Sequence, residues 1–195
     1  MDIPAQHTTL TPEIRERAFG VAQKYCSPQF MKHLLAAECA MQGLARHLGG
    51  DPLTWGVAGL LHDVDWEAVE KNPELHCGEK TREICAEVEG LPEEIVETVI
   101  SHYGLRGIPL DTLMKRGLFA IEELTGLIAA TAKMNPNGLK AVEMRSVKKK
   151  FKDKTFAAGV DRDVILTCET NLNIPLEEFI GITLRAMQEC GEDLV

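Results

Sequence analysis

Apolar residues recur along this chain at intervals of three and four, the period of an amphipathic helix, almost from end to end. The longest example opens at Ser27-Pro28 and closes at Gly49-Gly50. Phe30, Leu34, Ala37, Met41, Leu44 and Leu48 share one stripe, with Lys32, Gln42 and Arg46 opposite. The punctuation agrees. Thr11-Pro12, Ser27-Pro28 and Asp51-Pro52 each set a capping residue before a proline, whose missing N–H is not needed in a first helical turn. Helices are predicted over about 12–25, 28–48, 52–63, 78–89, 92–104 and 111–134, the last with a break near Gly117. The basic stretch 140–154 is helical in its first part, and two final helices start near Asp161 and Pro175. The turn Asn135-Pro136-Asn137-Gly138 ends the sixth helix, and a loop with a short helical turn passes through Asn72-Pro73. No run alternates in the manner of a strand. The expected fold class is all-α, one helical bundle over 1–195 with a core at about 25–164 and C-terminal helices over 161–190 packed on it.

One helix departs from amphipathicity. Gly56-Val57-Ala58-Gly59-Leu60-Leu61 is apolar on nearly every side, so it is buried, yet it closes in the polar pair His62-Asp63. A buried charge needs a partner, and a metal ion satisfies an imidazole and a carboxylate together. Two further helices put a histidine beside their apolar stripe. His33 lies at the edge of the stripe formed by Ala37, Leu44 and Leu48, and His102 follows Ile95 and Val99 at helical spacing. Neutral imidazole is the commonest transition-metal ligand and carboxylates complete such sites, so this set reads as a metal centre. Asp65 and Glu67 are either acids that orient a ligand histidine or surface acids. His7, in the N-terminal tail, and His47, near a helix C-terminus, are expected to stand apart.

Charge and cysteine content narrow the partners. A formal net charge of −9 argues against a nucleic-acid polymer as ligand, although Arg145, Lys148, Lys149, Lys150, Lys152 and Lys154 form a local basic tract. That tract is either a solvated helix face or a place where one or two cations meet a phosphate, Lys148, Lys149 and Lys152 being the candidates. No apolar stretch approaches the roughly 20 residues that span a bilayer, and the first residues lack the pattern of a signal peptide. The six cysteines show no Cys-x-x-Cys spacing. A cytoplasmic protein with reduced thiols, no disulfide framework and no membrane partner is therefore expected.

The ordered set His33 … His62-Asp63 … His76 … His102 … Glu122 resembles the HD-domain superfamily of metal-dependent phosphohydrolases, in the subgroups that hold two metal ions. His76 enters through Pro73-Glu74-Leu75-His76, His102 through Val99-Ile100-Ser101-His102, and the last acid through Ala120-Ile121-Glu122-Glu123-Leu124. The tract Ser146-Val147-Lys148-Lys149-Lys150-Phe151-Lys152 and its continuation to Val160 are similar to a bacterial group of HD hydrolases, and the likeness covers about 25–164. The resemblance implies an HD-type helical bundle in which His33, His62, Asp63 and Glu122 hold one ion. Asp63 would bridge to a second ion held by His76 and His102. It further implies one or two divalent ions (Mn, Fe, Co, Ni or Zn), a small phosphorylated substrate or nucleotide, and water activated at a centre built on His62 and Asp63. Two positions depart from the family pattern: Val64-Asp65 follows the His-Asp pair where one branch has Ile-Gly, and Glu122 or Glu123 stands where aspartate is usual. Other chemistries of the same superfamily stay open here, namely a di-iron oxygenase or a ligand-binding module without catalysis.

Overall fold

The computed structural model describes residues 10–194, and every regular element among them is helical. The helices are α1 (Pro12–Tyr25), α2 (Pro28–Leu48), α3 (Pro52–Leu61), α4 (Glu79–Ala86), α5 (Glu93–Ser101), α6 (Leu113–Lys133), α7 (Met144–Lys152), α8 (Arg162–Asn171) and α9 (Leu176–Cys190). The all-α expectation is met, and the predicted proline starts are observed. Ser27 accepts from the Phe30 N–H, and Asp51 accepts from the Thr54 N–H at 2.7 Å. Thr11 takes the same position before α1, but its side chain caps no backbone N–H of the helix.

α2 is the axis of the bundle, packed on α3, α6 and α9. Its stripe explains this: Leu34, Ala37, Met41 and Leu44 are fully buried. α3 comes closest to it. A Cβ added at Gly59 would lie 2.6 Å from the Ala37 carbonyl oxygen and 2.9 Å from the Glu38 nitrogen, so only glycine lets the two backbones approach this far. That approach sets the residues just after α3 beside His33 on α2. The break expected at Gly117 does not occur; α6 runs through it as one helix. Gly117 serves packing, since a Cβ there would lie 2.8 Å from Leu44 and 3.2 Å from Trp55. α8 packs on α6, α9 packs on α2, and their apolar residues join one cluster that extends from Leu10 to Leu194.

The expectation of reduced thiols is corrected at one place. Cys39 on α2 and Cys190 at the end of α9 form a disulfide, with Cα atoms 6.3 Å apart and a sequence separation of 151. Cysteine spacing reads only local pairing, whereas here two helices distant in sequence lie side by side. Cys26, Cys77, Cys85 and Cys168 are buried free thiols. No helix among the described residues is long and apolar enough to cross a membrane.

Candidate metal centre

Four helices and one turn bring the six residues singled out above together. His33 lies in the second turn of α2; His62 and Asp63 follow the last residue of α3; His76 lies in the turn before α4. His102 follows α5, and Glu122 sits midway along α6. Residues that follow a helix end can turn polar side chains inward while the helix buries apolar ones, which is how an apolar α3 delivers His62 and Asp63 to the interior.

Asp63 is the centre of the arrangement. Its Oδ2 lies 3.3 Å from His33 Nε2 and 3.6 Å from His62 Nε2, and its Oδ1 lies 3.1 Å from His76 Nε2 and 3.2 Å from His102 Nε2. The carboxylate thus faces a pair of imidazoles with each oxygen. His33 Nε2 and His62 Nε2 are themselves 3.0 Å apart.

The far ring nitrogens settle the tautomers. His62 Nδ1 donates to the Gly59 carbonyl at 2.7 Å, and His102 Nδ1 donates to the Val99 carbonyl at 2.6 Å. His76 Nδ1 donates to Asp65 Oδ1 at 2.9 Å. In three rings a proton is therefore on Nδ1, and in the neutral form of each ring the lone pair on Nε2 points at the lone pairs of Asp63. Such an arrangement is repulsive unless a cation or extra protons enter, and a far nitrogen bonded to a carbonyl or carboxylate is the habit of metal-ligating histidine. The donor set thus fits divalent metal ions.

Proton affinities express the same crowding. Burial holds His62 down to about 3, against the pull of Asp63 and helped by His33 and His102. Burial also opposes a charge on His76, yet Asp63 and Asp65 push that imidazole up to about 11. Burial would raise Asp63, but His62, His102, His33 and His76 together hold its carboxyl well below the usual carboxylate range. Burial, with Asp63 adding to it, raises Glu122, while His102, His33 and His76 oppose.

The two adjacent glutamates separate in space. Glu122 feels the charges of Asp63 and three of the histidines, whereas Glu123 Oε2 accepts the Asp161 N–H at 3.1 Å. Asp65 and Glu67 also part. Asp65 is fully buried and orients His76 while accepting from Cys77 N at 3.0 Å and Thr81 Oγ1 at 2.7 Å. Glu67 instead accepts from Ser27 N and Oγ.

A cavity of about 410 Å³ opens beside the cluster, lined by Asp63, His76, His102, Glu122, Glu123 and Asp161, with Trp66, Tyr103, Leu105 and Phe119 as apolar surface. Trp66 and Tyr103 meet the His76 ring edge-on, with centroids 5.0 Å and 4.9 Å away. Lysine and arginine are absent from the described residues that line it. The lysines expected at a phosphate are not brought here. Lys148 pairs with Glu177 on α9, and Lys148, Lys149 and Lys152 line a separate hollow with that acid. The reason is the axis of α7, whose single fully buried residue, Val147, turns its basic face outward. His47 stands apart, 3.8 Å from Glu178, and His7 lies outside the described residues.

Sequence reasoning missed four participants. Cys77 is fully buried against His76 and His102, and its only signal was adjacency to a candidate ligand. Arg106 donates from Nε to the His76 carbonyl at 2.8 Å and from Nη2 to the Glu74 carbonyl at 2.8 Å, clamping the turn that carries His76. Trp66 and Tyr103, aromatic but isolated in sequence, gave no periodic signal.

The family model described as HD domain matches residues 30–144, a stretch that contains all six residues of the cluster. No curated protein and no solved structure shows a significant match to the chain.

Proposed function

The chain belongs to the HD-domain family, and from that premise we propose that it is a metal-dependent phosphohydrolase acting on a small phosphorylated molecule or nucleotide. The observation that carries the reading is the Asp63 carboxylate, with two imidazole Nε2 atoms facing each of its oxygens. In the proposal His33, His62, Asp63 and Glu122 hold one ion, and Asp63, His76 and His102 hold a second. Divalent ions in such a site supply Lewis-acid stabilisation of phosphoryl charge and lower the pKa of water toward about 7.

The protein's own groups prepare for this. Burial keeps His62 neutral down to about pH 3, which leaves the Nε2 lone pair free for an ion. Gly59, Val99 and Asp65 fix three rings in the tautomer that leaves Nε2 free. Asp63 is ionised and cannot rotate without losing one pair of partners. The cavity brings four carboxyl groups, from Asp63, Glu122, Glu123 and Asp161, beside the imidazoles of His76 and His102 and no lysine or arginine among its described lining. Metal ions add the positive charge that attracts a phosphate dianion to such a cavity, so phosphate release is expected to depend on metal. Trp66, Tyr103 and Phe119 offer aromatic surface to the organic part of a substrate.

The test is elemental analysis of the purified protein, followed by a panel of phosphate esters and nucleotides with Mn, Co, Ni, Zn and Fe. Metal-dependent release of phosphate is expected, with His62→Ala and Asp63→Ala both inactive while far-UV circular dichroism stays helical. Full activity in either variant refutes the assignment. Two bound irons with oxygen consumption and no phosphate release would move the site to oxidation chemistry.

A further inference from the structure

A sulfur atom lies beside the imidazoles that would hold the second ion of this reading. Cys77 Sγ is 3.3 Å from His76 Nε2; it is also 3.5 Å from His102 Nδ1, the nitrogen that donates to Val99, while Nε2 of that ring faces Asp63. One donor atom from each of His76, Cys77 and His102 falls within 4.8 Å of the others, and all three residues are buried. We propose that the Cys77 thiolate is a ligand of that ion beside His76, His102 and Asp63, which makes the second position a thiophilic site for zinc, cobalt(II) or iron(II). The inference rests on the two-ion reading above and adds the class of metal to it.

Three features of the backbone and its bonds support it. Adjacent residues in extended chain point to opposite sides, but Cys77 has φ 54°, in the left-handed region, which turns its side chain back toward the His76 ring. A non-glycine residue is disfavoured in that conformation. The cost persists although Gly78, the next residue, is the one that adopts it freely. Second, one buried carboxylate orients both donors, since Asp65 binds the His76 ring through Oδ1 and the Cys77 N–H through Oδ2. Third, the thiol touches the candidate ligand nitrogen itself: Sγ lies 3.3 Å from His76 Nε2, whose lone pair in the neutral ring accepts its hydrogen, and 3.7 Å from the Val99 carbonyl.

Distances agree with shared coordination. Zinc–nitrogen and zinc–sulfur bonds of about 2.0–2.1 Å and 2.3 Å at a tetrahedral angle separate nitrogen from sulfur by about 3.5 Å. The His76 Nε2 to Cys77 Sγ separation of 3.3 Å is close to that before any ion has entered. On binding, the thiol proton leaves to solvent and the sulfur lone pair forms the bond. The two positions then differ in kind. The first offers two imidazoles and two carboxylates, and the second adds a soft sulfur, so the pair separates hard from thiophilic ions.

The experiment loads the full-length, metal-free protein with cobalt(II), in buffer free of small thiols, and records its absorption spectrum. A sulfur-to-cobalt charge-transfer band in the near ultraviolet is expected as the second equivalent binds, and it should be lost in Cys77→Ser and Cys77→Ala. Those variants leave Cys26, Cys85 and Cys168 in place, so a surviving band would come from another thiol and overturn the proposal. Two bound cobalt ions without the band overturn it too, while the two-ion reading stands. One bound ion without the band removes the second position and Cys77 with it, and no binding removes the metal reading as a whole. Should the variants fail to fold, zinc X-ray absorption on the unaltered protein decides. A sulfur shell at about 2.3 Å supports the proposal, and nitrogen and oxygen alone refute it.

Discussion

Asp65→Asn changes one atom and tests whether the proton positions around His76 matter. Asp65 accepts from three groups, His76 Nδ1, Cys77 N and Thr81 Oγ1, and is fully buried. An asparagine of the same shape replaces one oxygen by an NH₂ donor. The Cys77 N–H can only donate, so the amide oxygen must stay on that side and the NH₂ faces His76. Two donors then meet unless His76 moves its proton from Nδ1 to Nε2, the atom aimed at Asp63. The lone pair needed by the second ion disappears.

The magnitudes follow from these bonds. Hydrogen bonds to a charged group contribute about 1.5–3 kcal/mol and neutral ones about 0.5–1.5, so three weakened bonds cost up to roughly 3 kcal/mol. Relief from burying a carboxylate offsets part of this, leaving a loss of about 1–2 kcal/mol. Loss of a carboxylate behind a ligand histidine typically lowers metal affinity 10–100-fold, or about 1.4–2.8 kcal/mol. Urea denaturation of the metal-free protein and calorimetric zinc titration measure the two effects separately. The expected result is a small drop in stability with one of two binding events weakened by at least tenfold. Two binding events of unchanged affinity would refute the tautomer argument, and unchanged ¹⁵N shifts of His76 would show that its proton had not moved.

Gly59→Ala is expected to remove about 2–3 kcal/mol or more of stability, since the added methyl meets the α2 backbone and not a flexible side chain; it should also weaken metal binding by pushing His62 from His33, as thermal melts and metal titration would show. Glu123→Gln keeps the acceptor for the Asp161 N–H and removes a carboxyl that burial, with Glu122 adding to it, raises to about 7. A raised acid destabilises the fold in its ionised form, so the unaltered protein loses stability as pH climbs from about 4.5 to about 7. In the metal-free protein the variant should match it at pH 4 and exceed it by about 1–2 kcal/mol at pH 8, after allowance for solvent screening of a half-buried group; equal melting curves at both pH values would contradict this. Reduction of Cys39–Cys190 under native conditions should lower stability by about 2–4 kcal/mol, read as a shift in urea midpoint that Cys39→Ser reproduces.

Much of this protein was legible before its structure because its signals are local. Helix starts at Pro12, Pro28 and Pro52 depend on a capping residue and a proline side by side, and the α2 stripe depends on a period of 3.6 residues. His62-Asp63 announced itself by contrast with the apolar helix before it. Gly117 misled because a glycine breaks a helix or permits a close approach, and the difference is made by Leu44 and Trp55 on other helices. The lysines show a similar limit. Their charge was plain, but which way α7 turns them depends on how Val147 seats.

Composition, periodicity and motif order were enough for the all-α class, the family resemblance and the six residues of the cluster, since each is written in neighbouring positions or in chain order. Packing alone assigned the rest: which oxygen of Asp63 faces which pair of rings, that Asp65 and not Glu67 stands behind His76, that Glu123 turns to Asp161, and that Cys77 and Cys39 find partners. These depend on distances of a few ångströms between groups tens of residues apart, and such distances exist only once α2, α3, α5 and α6 have closed around a common core.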